Sequence, residues 1–164
     1  GVLAWGVAVE GNSLDNYISS FSLDSGAGIY AAYNGFAGAN NARCSQNTHG
    51  VMCDSGGLAD ITYLTSENNT GNGFYCSDFG AMSGGYSAAS NNQGNGYHCE
   101  YGSYMNISHG IASNNNSHGF YAKKNSHIYC YAFGGSGNGY FCSPVQTSIN
   151  ASGGNSNASI DDTL

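Results

Sequence analysis

Residues 68–90 read NNTGNGFYCSDFGAMSGGYSAAS, and residues 91–113 read NNQGNGYHCEYGSYMNISHGIAS. The two stretches align without a gap, and in each a Gly-Asn-Gly turn precedes a short aromatic strand. The same unit recurs through the chain about every 23 residues, each copy anchored by a glycine: Gly6, Gly28, Gly50, Gly73, Gly96, Gly119 and Gly139. A period of this length is typical of solenoids, in which each coil buries its inner face against its neighbours.

Two apolar columns follow the anchors at alternate positions, which places both on one face of a strand. The column one position after the anchor holds mostly large residues: Val7, Ile29, Val51, Phe74, Tyr97, Phe120 and Tyr140. The column three positions after it holds small ones: Val9, Ala31, Cys53, Cys76, Cys99, Ala122 and Cys142. We expect both columns to face the interior of the solenoid.

Two further strands complete each coil. The second alternates apolar and polar residues around Met82 and Met105, and a third, weaker one is predicted over 63–66, 86–89 and 109–112. Asn-Asn pairs at 68–69, 91–92 and 114–115 mark the next corner, where asparagine tolerates left-handed backbone and bonds to local backbone groups. Three strands per coil predict an all-β parallel β-helix of about seven coils.

The charge of the chain excludes several classes of partner. Only three of its 164 residues are basic and the net charge is −7, which leaves too few cations for a nucleic-acid surface. An anionic membrane surface is disfavoured for the same reason, and no apolar run reaches the roughly 20 residues of a membrane span. We therefore expect neither nucleic-acid binding nor membrane insertion.

Six cysteines suggest a disulfide scaffold, but the repeat argues against it. Cys53, Cys76 and Cys99 fall in one interior column, where parallel Cβ vectors about 4.8 Å apart do not allow an unstrained bridge. Free buried thiols are predicted, in keeping with folding in a reducing cytoplasm. The sequence contains no CxxC pair, and neither a metal site nor a cofactor is predicted.

A stripe of large residues lies between the two interior columns and is expected to point outward. It comprises Tyr30, Met52, Tyr75, His98, Tyr121 and Phe141. A monomer rarely leaves such a stripe bare, so it is predicted either to pack against another subunit or to stack on a glycan. A second outward stripe is predicted at Phe36, Leu58, Tyr104 and His127. Three rods side by side would bury such stripes about a threefold axis.

Catalysis of glycoside hydrolysis needs a pair of carboxylates. The candidates are Asp54, Asp78 and Glu100, on three successive coils, and none is assigned a catalytic role. Asp78 and Glu100 fall on neighbouring coils in adjacent columns, close to Lys123 and Lys124. Loop carboxylates and lysines are also commonly just solvated. The sequence therefore leaves open whether the protein is an enzyme.

The coil length, the Gly-aromatic strand starts and the Asn corners of residues 6–142 resemble the β-helical coils of bacteriophage tailspikes and tail fibres, within the pectin-lyase-like right-handed β-helix class. This resemblance implies a right-handed helix and a homotrimer on a virion, made in the bacterial cytoplasm, that binds host surface polysaccharide. Many members of the family also cleave it. The alternatives are a polysaccharide depolymerase and a bacterial β-helical adhesin, and an architectural spacer also remains open.

The predicted domain organisation is simple. Residues 1–143 are expected to form the coils, and residues 144–164, where the full repeat is lost, a C-terminal cap or crossing strand. The first residues begin inside a coil, so the chain is interpreted as a fragment of a longer fibre or spike.

Overall fold

A computed structural model shows an all-β parallel solenoid. It describes the backbone of residues 2–5, 8–10, 16–19, 26–145 and 148–152, and the side chains of residues 26–139. In this part of the chain no helix is long and apolar enough to cross a membrane.

Three parallel sheets run the length of the solenoid. The first sheet contains β1 (Val2–Trp5), β4 (Ala27–Ala32), β7 (His49–Cys53), β10 (Phe74–Cys76), β13 (Tyr97–Cys99), β16 (His118–Lys123) and β18 (Tyr140–Val145). The second contains β2 (Ala8–Glu10), β5 (Phe36–Gly38), β8 (Leu58–Asp60), β11 (Ala81–Gly85), β14 (Tyr104–Ser108), β17 (His127–Tyr131) and β19 (Ser148–Ser152). The third contains β3 (Asn16–Ser19), β6 (Ala42–Ser45), β9 (Thr65–Glu67), β12 (Ala88–Ser90) and β15 (Ile111–Ser113). Five coils thus contribute a strand to all three sheets, against the seven predicted.

Both predicted interior columns are confirmed between Ile29 and Ala122, where every member is buried. The large column stacks its rings along the axis: the centroids of Phe74 and Tyr97 are 4.8 Å apart, and those of Tyr97 and Phe120 4.7 Å. The hydroxyl of Tyr97 is also satisfied, because it donates to the Ser87 carbonyl at 2.9 Å. The core is therefore a continuous apolar column rather than a set of separate layers.

The anchor glycines are required by the close approach of neighbouring coils. A Cβ added at Gly73 would lie 2.8 Å from the Gly96 carbonyl oxygen, and one added at Gly96 would lie 2.7 Å from that of Gly119. Such contacts are too short for a methyl group, so a side chain at these positions would force the coils apart. Glycine therefore recurs in the sequence because each coil packs closely on the next at this position.

Left-handed residues define three corners in each coil. The first corner, between the first and second sheets, has pairs such as Asp78–Phe79 at φ of 45° and 63°. The second corner, before the third sheet, has single residues such as Tyr86 at 58°, and the third corner has Asn68, Asn91 and Asn114 at 54–55°. The third strand was predicted two residues too early, because Tyr63, Tyr86 and His109 occupy the second corner and pairing starts after them.

The register corrects the predicted first copy of the repeat. Val2 pairs with Ile29 and Ala4 with Ala31, so Val2 and Ala4 hold the column positions that were predicted for Val7 and Val9. Val9 instead pairs with Ala37 in the second sheet. Gly6 and Val7, the predicted anchor and the residue after it, lie outside the described residues.

The last copy is also shifted. Cys142 pairs with Phe120, and Ser143 pairs with Tyr121, so Phe141 does not continue the outward stripe and Tyr140 does not continue the large column. Pro144 and Val145 still belong to β18, and β19 pairs with β17 in the second sheet. Residues 153–164 of the predicted cap lie outside the described residues.

Candidate functional site at the first corner

From Tyr30 to Tyr121 the residues of the predicted outward stripe lie side by side in the first sheet, but they are not fully exposed. Its members are paired in register across five strands of the first sheet. Their rings lean on one another, with centroids 5.1 Å apart for Tyr75 and His98 and 4.9 Å for His98 and Tyr121. Most members are half-buried, and His98 is only 8% exposed. The stripe therefore covers much of its own surface.

Two tyrosines of the stripe bind carboxylates near the first corner. The Tyr30 hydroxyl donates to Asp54 at 3.1 Å, and the Tyr75 hydroxyl donates to Glu100 at 2.5 Å. Burial and then the Asp54 charge raise the pKa of Tyr30 to about 12, and burial and the Glu100 hydrogen bond raise the pKa of Tyr75 further. Both hydroxyls are thus proton donors fixed in position at neutral pH.

Glu100 is the most buried carboxylate of this corner, at 7% exposure. Besides Tyr75, it receives the ammonium groups of Lys123 at 2.9 Å and Lys124 at 3.6 Å. Burial acts to raise the pKa of Glu100, but the hydrogen bonds from Tyr75 and Lys123 outweigh it and hold the pKa below its ordinary value. Glu100 is therefore an ionised carboxylate at neutral pH, surrounded by hydroxyl and ammonium hydrogen-bond donors.

Two exposed aromatic rings stand beside this carboxylate. Phe79 is 77% exposed, and its ring lies over the backbone of Gly102 on the next coil. Tyr101 is exposed as well, and Lys124 holds its ammonium 3.6 Å from the Tyr101 ring centroid and hydrogen-bonds its hydroxyl. We call Tyr75, Phe79, Glu100, Tyr101, Lys123 and Lys124 the first-corner cluster.

Among the described residues, no direct contact links Asp78 to Glu100. Asp78 lies in the column of Tyr101 and Lys124, as expected, but its side chain is exposed, and the contacts of Glu100 go to Tyr75 and the two lysines. Asp54 shares the column of Glu100 but is two coils away, roughly 10 Å at the strand spacing. Glycoside hydrolysis needs one carboxylic acid held protonated, and the lowered pKa of Glu100 does not provide it.

His98 is buried in the middle of the stripe. Its Nδ1 lies 3.3 Å from Asn95 Nδ2, and its Nε2 is a buried nitrogen without a hydrogen-bond partner. Burial is the main cause that lowers the pKa of His98 to about 4, so the ring is neutral at pH 7. Among the described residues, no group of three His, Cys, Asp or Glu side chains could hold a metal ion.

The predicted free thiols are confirmed for the five cysteines whose side chains are described. Cys44, Cys53, Cys76, Cys99 and Cys130 are free and buried. Burial raises the pKa of Cys44 to about 12 and that of Cys76 well above its usual value, so these thiols are unreactive fillers. The side chain of Cys142 lies outside the described residues.

The second outward stripe is confirmed on the second sheet, where Leu58 and Tyr104 are each 44% exposed. An aromatic ladder at the second corner is also exposed: Tyr63 and Tyr86 stack at 5.2 Å, and Tyr86 and His109 at 4.5 Å. These rings are nearly parallel and cover one another, so they present edges rather than faces to solvent.

Sequence reasoning did not single out Phe79 and Tyr101. A signal was present, because the corner column of Phe79 otherwise holds asparagine or glycine: Asn34, Gly56, Gly102 and Asn125. A large aromatic residue in a left-handed position costs strain. Because the other coils have a small residue at this position, the presence of Phe79 indicates a functional role for its ring on the surface.

Comparison of the chain with protein-family models, with curated proteins and with solved structures returns no match. The geometry of the first corner is therefore the basis for assigning a function.

Proposed function

We propose that this chain is a segment of a bacteriophage tail fibre or tailspike that binds a host cell-surface glycan, and that the first-corner cluster is the binding surface. The single observation that carries the proposal is the exposed ring of Phe79 beside a fixed set of hydrogen-bonding groups. Apolar faces of sugars stack on such rings, and ammonium, hydroxyl and carboxylate groups bind sugar hydroxyls.

The arrangement suits a ligand that lies along the rod. The cluster is built from three successive coils, with Tyr75 and Phe79 on one, Glu100 and Tyr101 on the next, and the lysines on the third. Three coils span roughly 10 Å, which is about the length of two sugar units. Because the coils are rigidly stacked, the groups are pre-organised and lose little entropy on binding.

A virion location and synthesis in the host cytoplasm follow from the same proposal. The buried free thiols support it, because such thiols suit folding in a reducing compartment. The exposed apolar stripe of the second sheet supports a homotrimer, since it would be covered when three rods pack side by side.

The proposal is tested by binding of the purified protein to an array of bacterial surface polysaccharides. Phe79→Ala is expected to weaken binding about tenfold, the order expected for losing one stacking ring. Tyr63→Ala removes an exposed aromatic ring from the second corner and is the matched control. Equal affinities of Phe79→Ala and the unchanged protein would contradict this surface, and no binding to any glycan would contradict the function.

The geometry gives less support to a depolymerase. A hydrolase would need a protonated carboxylic acid near a second carboxylate, and the first corner offers Glu100 in an ionised, doubly ion-paired state. Incubation with the bound polysaccharide, followed by an assay for new reducing ends or unsaturated uronates, distinguishes the two functions. We expect no product.

A further inference from the structure

Positive charge is concentrated at one place on an otherwise acidic rod. The chain has three basic residues and a net charge of −7, and two of the three, Lys123 and Lys124, lie in the first-corner cluster. The third, Arg43, belongs to the third sheet and is ion-paired with Glu67. The first corner is therefore the one place among residues 26–139 where basic side chains adjoin.

Glu100 does not neutralise both lysines. Glu100 supplies one negative charge to two ammonium groups, which leaves one net positive charge. The carboxylate is buried, whereas the lysine side chains are 27% and 45% exposed, so the positive charge faces solvent. Each ammonium has three donors, and Glu100 occupies one on Lys123 at 2.9 Å. Donors remain for a ligand.

We propose that the first-corner cluster binds a negatively charged sugar, with its carboxylate or sulfate on Lys123 and Lys124 and its ring on Phe79. This inference rests on the proposed glycan-binding function and names the class of glycan. A buried carboxylate under two lysines fixes their ammonium groups in place, so that an incoming anion meets donors that are already positioned.

The surrounding charges set the direction of the ligand. Along the two columns of the corner, Asp54 and Asp78 lie toward one end and the lysines toward the other, with Ser77, Tyr101 and the ion-paired Glu100 between them. An anionic group is repelled at the aspartate end and attracted at the lysine end. The anion is therefore expected at Lys123 and Lys124, and neutral hydroxyls near Asp54 and Asp78.

The test uses acidic polysaccharides, each paired with its own neutral form. Polygalacturonate is compared with its carboxyl-reduced product, and dextran sulfate with dextran, so that the two sources of negative charge are separated. Binding of the whole chain is measured by calorimetry at low and high salt. We expect at least one acidic form to bind about tenfold or more tightly than its neutral partner, and the preference to fall as salt is added.

Three variants locate the effect. Lys124 has an exposed side chain, and Lys124→Gln is expected to lower the affinity for the acidic form about tenfold. Glu100→Gln/Lys123→Gln removes the second lysine without leaving a buried carboxylate unpaired. Arg43→Gln is the matched control, because it removes the same charge from the third sheet. Circular dichroism verifies that each variant is folded.

The outcomes separate the two proposals. Tighter binding of acidic forms that depends on the lysines and not on Arg43 supports the inference. Equal binding of acidic and neutral forms, or an acidic preference unchanged in both lysine variants, overturns it while the glycan-binding function stands. If no polysaccharide of either kind binds here or on the bacterial glycan array, both proposals fail.

Discussion

Asn92, at the third corner, makes four side-chain hydrogen bonds inside the rod. Its Oδ1 accepts from the backbone nitrogen and Nδ2 of Asn69, and its Nδ2 donates to the Ser66 carbonyl and to Asn115 Oδ1, all at 2.9–3.1 Å. Asn69 and Asn115 repeat the pattern, so the amides form a buried ladder along the axis. The asparagine corners predicted as structural are structural, and each corner is tied to the next coil.

Replacement of Asn92 by alanine is expected to destabilise the fold. It leaves the Asn69 backbone N–H buried without its acceptor and removes three further amide hydrogen bonds, which costs roughly 2–4 kcal/mol in free energy of unfolding. Urea denaturation measures the loss. Gln93→Ala, on the exposed neighbour, is the control and should change stability by less than about 0.5 kcal/mol. A similar loss in both variants would contradict the ladder.

At the scale of the strand, β13 holds a neutral histidine in the aromatic stripe. In the unfolded chain His98 binds a proton near pH 6.5, but in the folded chain only near pH 4, chiefly because it is buried. The unfolded state therefore binds more protons in this window, and stability is lost as the pH falls from 6.5 toward 4. The Glu100 charge opposes this effect, while Lys123, His49 and His118 add to it.

His98→Phe is expected to remove this part of the acid sensitivity. Between pH 7 and pH 5 the variant should lose roughly 2 kcal/mol less of its free energy of unfolding than the unchanged chain. That range lies above the usual pKa of a glutamate, so the titration of Glu100 contributes little to it. His127→Gln, at an exposed position, is the control and should follow the unchanged chain. Identical pH profiles for all three proteins would show that His98 is not responsible.

Among the described side chains, large apolar residues are exposed chiefly on the second sheet and at the second corner. Leu58 and Tyr104 share one column, and Tyr129 and Tyr131 lie on β17 of the same sheet. In the first sheet, by contrast, the predicted stripe is half-buried by its own stacking. The face that a neighbouring rod would cover is therefore the second sheet rather than the first.

Light scattering on the purified chain is expected to give about three times the chain mass of 16.9 kDa. Leu58→Asp/Tyr104→Asp should reduce it to one chain, because two carboxylates on the packed face repel one another across the interface. Phe79→Asp places a charge at the first corner and should leave the mass unchanged. A stable monomer of the unchanged chain at micromolar concentration would remove the trimer.

The coil repeat and its inner columns could be predicted because each coil uses the same residue types at the same positions. The prediction failed where the repeat is irregular: Val2 rather than Val7 pairs in register with Ile29, and Ser143 rather than Phe141 pairs with Tyr121. The third strand was placed two residues early because residue type alone does not distinguish a tyrosine at a left-handed corner from a tyrosine in a strand. The local pattern of apolar and polar residues does not indicate which residues adopt a left-handed backbone conformation.

The sequence by itself determined the solenoid, its inside and outside, the free thiols and the structural asparagines, since all of these depend on a period that is written in the chain. Only the tertiary structure decided which aromatic and charged side chains meet at the first corner. The first-corner cluster joins residues from three coils, and their distances, burial and ion pairs arise when the coils stack. The pairing of Glu100 with two lysines, rather than with Asp78, was settled by that stacking.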